Sequence, residues 1–163
     1  MVIKEKVQKA INKQINAELY SSYLYLAMAA YCESINMLGF ANWFRVQSGE
    51  ETGHGMRFYD YLFDRSGKAI LSAIEAPKTE WKSPLAAFED AYGHELKVTE
   101  LINDLLKLAK AEGDAATEAM LQWFVNEQVE EETNTLKIVE KLKSIKDSVG
   151  GLMILDKELG ERK

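Results

Sequence analysis

Apolar residues recur along most of the chain at spacings of three, four and seven residues, which is the period of a helix buried on one face. No run of strand length alternates apolar and polar residues better than it fits this helical period. Ser83 before Pro84 and Asp114 after Gly113 are residues that commonly begin helices. The pattern predicts an all-α domain, residues 1–163, with helices over 4–34, 39–66, 84–112, 114–147 and 151–160.

The connections between these segments predict how the helices are arranged. The first and second helices are joined by a short turn, as are the third and fourth, so each pair is expected to be antiparallel. Residues 67–83 separate the second helix from the third. An extended segment of that length reaches roughly 55 Å, whereas a helix of such a bundle is about 40 Å long. We therefore expect a four-helix bundle with one long crossover connection and a short fifth helix.

Four glutamates occupy positions where the helical period calls for apolar residues. Each has an apolar or aromatic residue one heptad before it and one heptad after it, which places it on the buried face of its own helix. The four stripes are Ile11–Glu18–Tyr25, Phe44–Glu51–Phe58, Phe88–Glu95–Ile102 and Phe124–Glu131–Ile138. Burying several carboxylates together is very costly unless cations neutralise them. One such glutamate on each long helix therefore predicts a metal site.

The residues next to these glutamates complete a dinuclear pattern. Carboxylate-bridged di-iron bundles use one Glu from each of two helices and Glu-x-x-His from each of the other two. The second helix carries Glu51-x-x-His54, and the two residues share a face, whereas the fourth helix departs from the pattern with Gln128-x-x-Glu131. Oxygen and imidazole donors without thiolates suit iron or manganese, and also zinc.

Two sites that share Glu51 account for this set of residues. We assign site A to Glu18, Glu51 and His54. We assign site B to Glu51, Glu95 and Glu131, with Gln128 alongside. The four carboxylates match the charge of two Fe(II) ions, and site B, which has no histidine, should bind metal more weakly.

Composition narrows the class of protein. The formal net charge of −6 argues against non-specific nucleic-acid binding, which depends on clustered Lys and Arg. No stretch approaches the length of a membrane span, and the charged amphipathic N-terminus is not a signal peptide. Cys32 is the only cysteine, so neither a disulfide framework nor a thiolate metal cluster is expected. Together these features predict a cytoplasmic protein that partners neither nucleic acid nor membrane.

Several segments resemble the non-haem ferritins of bacteria and archaea, within the ferritin-like di-iron carboxylate superfamily. They are QINAELYSSYLYL, EETGH, GHE at 93–95 and LQWFVNEQVEEE, and the resemblance covers nearly the whole chain. It implies a ferritin-like four-helix bundle with ferroxidase ligands at Glu18, Glu51, His54, Glu95, Gln128 and Glu131. A glutamine at this position of the fourth helix, here Gln128, is typical of ferritins. The resemblance also implies a tyrosine near the site, matched by Tyr25, and a third iron site matched by Glu50, Glu127 and Glu130, with Glu131 shared.

The resemblance further implies a function. Such ferritins oxidise Fe(II) with dioxygen or hydrogen peroxide at two irons per ferroxidase centre and store ferric mineral inside a homo-24-mer shell. Their last helix, matched by LMILDKEL, lines the four-fold axis of the shell; docking on its own subunit is the simpler alternative. We predict no haem, because the methionine that binds haem in bacterioferritins is matched by Thr52.

Two other functions are compatible with a helical bundle. A di-iron peroxidase or oxygenase of the rubrerythrin type would be expected to carry a second Glu-x-x-His and often a Cys-rich segment, neither of which this sequence has. A purely structural bundle would bind no metal and would give no reason for four inward glutamates. The size of the particle in solution distinguishes a shell from either alternative.

Other residues near the predicted site have a plain and a functional interpretation. Tyr25 is a core aromatic, or it hydrogen-bonds a ligand carboxylate or donates one electron to an oxidising intermediate, and the same alternatives hold for Trp123. Glu127 and Glu130 are surface charges, or they form the third site or a conduit for iron. His94 is expected to be a packing or surface residue and not a ligand. Three glycines surround the second-helix ligands: Gly49, Gly53 and Gly55. They allow close packing against another helix or subunit, or they loosen the ligand helix or open a path for iron.

Overall fold

The computed structural model describes residues 1–163 and confirms the all-α fold class with five helices and no strand. Four long helices form the bundle and one short helix follows. They are α1 (Glu5–Ser34), α2 (Leu38–Asp64), α3 (Pro84–Ala111), α4 (Ala115–Ile145) and α5 (Val149–Gly160).

The ends of three helices differ from the predicted bounds for local reasons. Helices α2 and α4 end about two residues early, and Ser66 and Lys146 just beyond them adopt positive φ values of 54° and 53°. A positive φ in a residue other than glycine is incompatible with continuing a right-handed helix. Helix α5 begins before the glycine pair at 150–151, because the Ser148 hydroxyl accepts a hydrogen bond from the Gly151 amide and caps the first turn.

Polar side chains on α1 hold the long connection between α2 and α3 along the length of the bundle. The Asn12 amide donates to the carbonyl of Lys68 at 2.9 Å, and the Asn16 amide donates to the carbonyl of Ala73 at 3.0 Å. Near the opposite end of α1, the ring of Tyr31 packs on Trp81 at 5.6 Å. The connection therefore crosses from one end of α1 to the other, which makes α2 and α3 parallel, as the segment length predicted.

The core consists of two hydrophobic clusters with a polar layer between them. The residues that flank each glutamate by one heptad divide between the clusters, one on each side. The first cluster contains Tyr25, Phe44, Phe88 and Ile138; the second contains Ile11, Phe58, Ile102 and Phe124. The four glutamates are thereby held at the middle of the bundle with dry, closely packed residues above and below.

Helix α5 docks on the start of α2 through one face only. Leu155 and Leu159 are buried there, and a side chain at Gly39 would collide with the backbone carbonyl of Asp156. The opposite face of α5 leaves Met153 and Ile154 65% and 72% exposed. The helix thus packs on its own subunit and still presents an uncovered apolar face. None of the five helices is both long enough and apolar enough to cross a membrane.

Candidate dinuclear metal centre

The structure brings the four predicted glutamates and His54 together between the two core clusters. All five side chains are buried, none more than 6% exposed. Their ligand atoms form two groups in which every pair lies within 4.8 Å: Glu18–Glu51–His54 and Glu51–Glu95–Glu131. Glu51 belongs to both groups, as a residue that bridges two ions would.

The first group is contributed by α1 and α2. His54 lies one turn after Glu51, so Nδ1 of His54 lies 3.1 Å from Oε2 of Glu51 and 4.0 Å from Oε2 of Glu18. Oε1 of Glu18 accepts a hydrogen bond from the Gln14 amide at 2.8 Å. Oε2 of Glu18 is fully buried and has no hydrogen-bond partner. A buried acceptor of this kind is uncommon in native proteins and requires an explanation such as a bound ion.

The second group is contributed by α2, α3 and α4. The Tyr25 hydroxyl donates a hydrogen bond to Oε1 of Glu95, and the Gln128 amide donates to Oε2 of Glu95 at 3.1 Å. Gln128 is also buried and donates to the backbone carbonyl of Glu95 at 3.2 Å. Tyr25 and Gln128 therefore contact a carboxylate of the centre directly, and each fixes one of its oxygens.

Two glutamines that the sequence reasoning missed complete the layer. Gln14 lies four residues before Glu18, and Gln47 lies four residues before Glu51, so each pair shares one helix face. The Gln47 amide donates to Oε1 of Glu51 at 2.9 Å and to Oε2 of Glu131 at 2.7 Å. The repeated Gln-x-x-x-Glu spacing was a usable signal for both residues.

Burial and mutual repulsion favour the protonated form of these carboxyl groups when no cation is bound. Burial, and after it the negative charge of Glu51, raise the pKa of Glu18 to about 8. Burial and the charge of Glu95 raise the pKa of Glu131 to about 8. Burial raises the pKa of Glu95 to about 7, although the hydrogen bonds from Tyr25 and Gln128 lower it. Burial, together with the charges of Glu95 and Glu131, raises the pKa of Glu51 well above its usual range. Such clustered, strongly perturbed carboxyl groups are typical of a functional site.

The comparison with known proteins agrees with this geometry. The family model of the ferritin-like domain matches residues 8–145, which is most of the chain. The chain belongs to the ferritin family. This confirms the resemblance found in the sequence, and the family supports a role in iron storage.

Individual ferritins match almost end to end. A bacterial non-heme ferritin of Bacteroides fragilis is 44% identical over 161 residues, covering 99% of this chain and 100% of the relative. One from Staphylococcus epidermidis is 40% identical, covering 99% and 97%. Among solved structures, an open pore ferritin from the hyperthermophilic archaeon Archaeoglobus fulgidus superposes with a TM-score of 0.98 at 52% identity, covering 99% of this chain and 98% of that one.

The residues that the ferritin resemblance assigns to a third iron site lie in different environments. Oε1 of Glu127 lies 3.7 Å from Nε2 of His54, and His54, Glu127 and Glu131 form another group whose ligand atoms all lie within 4.8 Å. Glu50 is exposed and forms an ion pair with Arg162 at 2.8 Å. Glu130 is exposed and belongs to none of these groups. The structure thus brings Glu127 to the centre and leaves Glu50 and Glu130 at its edge.

Two aromatic side chains near the centre, those of His94 and Trp123, differ in what they contact. His94 is half-buried between α1 and α3, with Nε2 2.7 Å from the Ser21 hydroxyl, and it belongs to none of the ligand groups. The Trp123 ring packs edge-on against His54 at 5.5 Å and carries the Arg57 guanidinium on its face at 4.1 Å. Trp123 therefore contacts a residue of the centre, although the sequence favoured simple packing at least equally.

The glycines of α2 do not share one explanation. A Cβ at Gly49 or Gly53 would meet no atom within 4 Å, so neither glycine is required for close packing inside the subunit. A Cβ at Gly55 would lie 3.4 Å from Leu19, an ordinary contact distance. Helix α2 is continuous through all three positions.

Proposed function

We propose that the protein is an iron-storage ferritin that oxidises Fe(II) at the dinuclear centre and stores the product as hydrated ferric oxide inside a hollow shell of 24 copies. Fe(II) is the substrate, and dioxygen or hydrogen peroxide is the oxidant. We further propose that it acts in the cytoplasm and without haem.

The observation that carries this proposal is the buried, unpartnered Oε2 of Glu18. It lies beside His54 in a layer that holds three more buried carboxyl groups. A structural bundle would have no reason to bury these groups without counterions, because each is costly to desolvate. Two divalent cations would balance four carboxylates and would give the orphan oxygen a partner.

The donor set differs between the two proposed sites. In site A, Glu18, Glu51 and His54 supply two carboxylates and one imidazole, which suits Fe(II). Site B, around Glu51, Glu95 and Glu131, has oxygen donors only, with Gln128 alongside. We expect site A to fill first. Because burial raises the pKa of Glu18 and of Glu131 to about 8, metal binding near neutral pH should release protons from these two groups.

Two Fe(II) ions, one at each site, supply the two electrons that reduce one dioxygen molecule. Each of two Fe(II) ions gives up one electron, and dioxygen accepts both electrons with two protons to reach the level of hydrogen peroxide. The carboxylates stabilise Fe(III) more than Fe(II), because the higher charge gains more from anionic oxygen donors in a dry site. The weaker oxygen-only site B would then release Fe(III) toward the interior for mineral growth.

Uncovered apolar residues support assembly into a larger particle. Residues on α1, α2 and the crossover connection include Tyr23, Phe63, Ile70 and Leu71, which are 50–65% exposed. Val149, Met153 and Ile154 on α5 are 65–72% exposed. Neighbouring exposed apolar side chains, such as Val149 and Met153 one turn apart on α5, indicate contacts with other proteins, and copies of the same chain would cover them in a shell.

The test is anaerobic Fe(II) loading followed by exposure to air, with absorbance and size exclusion measured on one sample. We expect two Fe(II) per subunit to oxidise rapidly, followed by a growing ferric band that elutes with a particle of several hundred kilodaltons instead of the 18.5 kDa chain. Glu51→Ala should lose the rapid phase, whereas Glu100→Ala, an exposed glutamate on α3, should keep it.

Two results would contradict the proposal. Tight binding of two irons in a small oligomer without mineral growth would favour a di-iron redox enzyme and would remove the storage role. Absence of stoichiometric metal binding in the wild-type protein would leave only a structural bundle.

A further inference from the structure

Arg162, two residues beyond the end of α5, packs against α2 and contacts a glutamine that donates to the metal centre. Nη2 of Arg162 donates to Oε1 of Gln47 at 3.0 Å and to Oε2 of Glu50 at 2.8 Å. Nη1 donates to the carbonyl of Trp43 at 3.3 Å, and the guanidinium lies over the Trp43 ring at 4.4 Å. The side chain of Arg162 is only 21% exposed. Four separate contacts therefore hold the guanidinium against α2.

The contact with Gln47 determines which way that buried amide faces. A guanidinium can only donate hydrogen bonds, so it must meet the amide oxygen and not the amide nitrogen. The nitrogen then faces inward, and its two hydrogens serve Oε1 of Glu51 and Oε2 of Glu131. Arg162 thus fixes the one side chain that connects the shared carboxylate of the two sites to a carboxylate of site B.

We propose that Arg162 is a positioning residue for the second metal ion, acting through Gln47. The amide ties down one oxygen each of Glu51 and Glu131 and turns their remaining oxygens toward the ions. Two like-charged carboxylates would otherwise repel each other, and a donor shared between them holds them at a fixed separation. This inference rests on the proposed dinuclear centre.

The effect should be selective for site B. Site A has its own support, because Gln14 donates to Glu18 and His54 contacts Glu51 at the oxygen that Gln47 does not use. Of the two groups that share Glu51, Glu131 belongs only to that of site B, and Gln47 is the only side-chain amide that donates to it. Loss of the Arg162–Gln47 contact should therefore weaken the second equivalent of metal and spare the first.

The experiment is an equilibrium titration with Co(II), followed by visible absorbance, on the assembled protein. Co(II) replaces Fe(II) as a probe that does not require turnover. The variant is Arg162→Ala. Its matched control is Asn42→Ala. The Asn42 amide donates to backbone carbonyls of the C-terminal tail, residues 159–162, including that of Arg162 at 2.9 Å, but it does not contact the centre. A second control, Lys141→Ala, removes another tie to α5, the ion pair with Glu158.

We expect Arg162→Ala to weaken the second Co(II) by up to about tenfold, the lower end of the effect of losing a group that directly orients a ligand, because Arg162 acts through Gln47. The first Co(II) and both controls should bind as in the wild type. Equal weakening of both equivalents, or equal weakening in Asn42→Ala, would show that the tail acts only by holding the fold and would overturn the inference.

A double-mutant cycle tests the route through Gln47. Gln47→Leu, which keeps a buried side chain of similar size, should also weaken the second Co(II), and adding Arg162→Ala to it should cause no further loss. Additive losses would overturn the route. If wild-type protein fails to bind two Co(II), the proposed function fails; if the wild type binds two and Arg162→Ala binds them equally well, only this inference fails.

Discussion

The hydroxyl of Tyr25 on α1 donates a hydrogen bond to Oε1 of Glu95 on α3, and both side chains are almost completely buried. The Tyr25 ring stacks on Phe44 at 6.1 Å and meets His94 edge-on at 5.9 Å. Burial and the charge of Glu95 raise the pKa of Tyr25 well above its usual range. The phenol therefore stays protonated and remains a donor to a carboxylate of the centre.

Replacing this donor should affect stability and reaction together. In Tyr25→Phe, Oε1 of Glu95 loses its partner in a dry site, which should lower the free energy of unfolding by about 1–3 kcal/mol. We expect two metal ions still to bind and the rapid oxidation phase to slow by about tenfold, because Glu95 is no longer held in place. Denaturant unfolding and stopped-flow absorbance measure the two effects. Tyr92→Phe, a half-buried tyrosine of α3, is the control. An unchanged oxidation rate would reduce Tyr25 to a packing residue.

The metal-free protein should lose stability as the pH rises. The pKa of Glu18 is raised from 4.5 to about 8, so between these values the folded protein holds a proton that the unfolded chain has released. The contribution of Glu18 to the free energy of unfolding is fully present below pH 4.5 and is lost toward pH 8, a loss of as much as about 5 kcal/mol. Denaturant midpoints at pH 5, 6, 7 and 8 in the presence of a chelator measure the slope.

Two controls isolate the cause of this pH dependence. Glu18→Gln cannot titrate and should show a shallower slope over the same range. Saturating Co(II) should reverse the slope, because cation binding requires the deprotonated carboxylates and stabilises the folded state. A wild-type midpoint that rises from pH 5 to pH 8 without metal would contradict the raised pKa of the cluster.

Periodicity was enough to predict the fold and the inward position of the four glutamates. Each glutamate interrupts an apolar stripe on one helix, so its inward position follows from local spacing. The parallel arrangement of α2 and α3 followed from the length of the segment between them. In the structure, the flanking residues of each stripe divide between the two core clusters, as for Ile11 and Tyr25 on either side of Glu18.

Contacts between distant segments could not be read from spacing. Arg162 lies 115 residues from Gln47 along the chain, and only the docking of α5 on α2 brings them together. Glu50 has the same acidic side chain as Glu51, yet one residue's rotation about the helix puts it against Arg162 at the edge of the centre. Such partners depend on tertiary packing and have no periodic signature.

A buried ion pair far from the centre should determine stability without affecting metal binding. The Arg65 guanidinium donates to both oxygens of Asp114, at 3.0 and 3.2 Å, and also to the Thr117 hydroxyl at 3.2 Å. Arg65→Ala would leave Asp114 buried without its counterion, which should cost about 3 kcal/mol. Denaturant midpoints test this. Lys107→Ala, which breaks an exposed pair with Asp104, should leave the midpoint unchanged. Altered Co(II) stoichiometry in Arg65→Ala would contradict the separation of the two regions.

Two glycines of α2 should respond oppositely to alanine. Gly53 lies in the exposed middle of the helix, and a Cβ there would meet no atom within 4 Å, so Gly53→Ala should raise the free energy of unfolding by about 1 kcal/mol. Gly39→Ala should lower it and detach α5, because the new methyl group would collide with the Asp156 carbonyl. Thermal unfolding and size exclusion measure both. If Gly53→Ala reduces the particle size while its helix content stays constant, then the space beside Gly53 is filled by another copy of the chain. If instead it slows iron oxidation at unchanged size and stability, then the glycine serves to loosen the ligand helix.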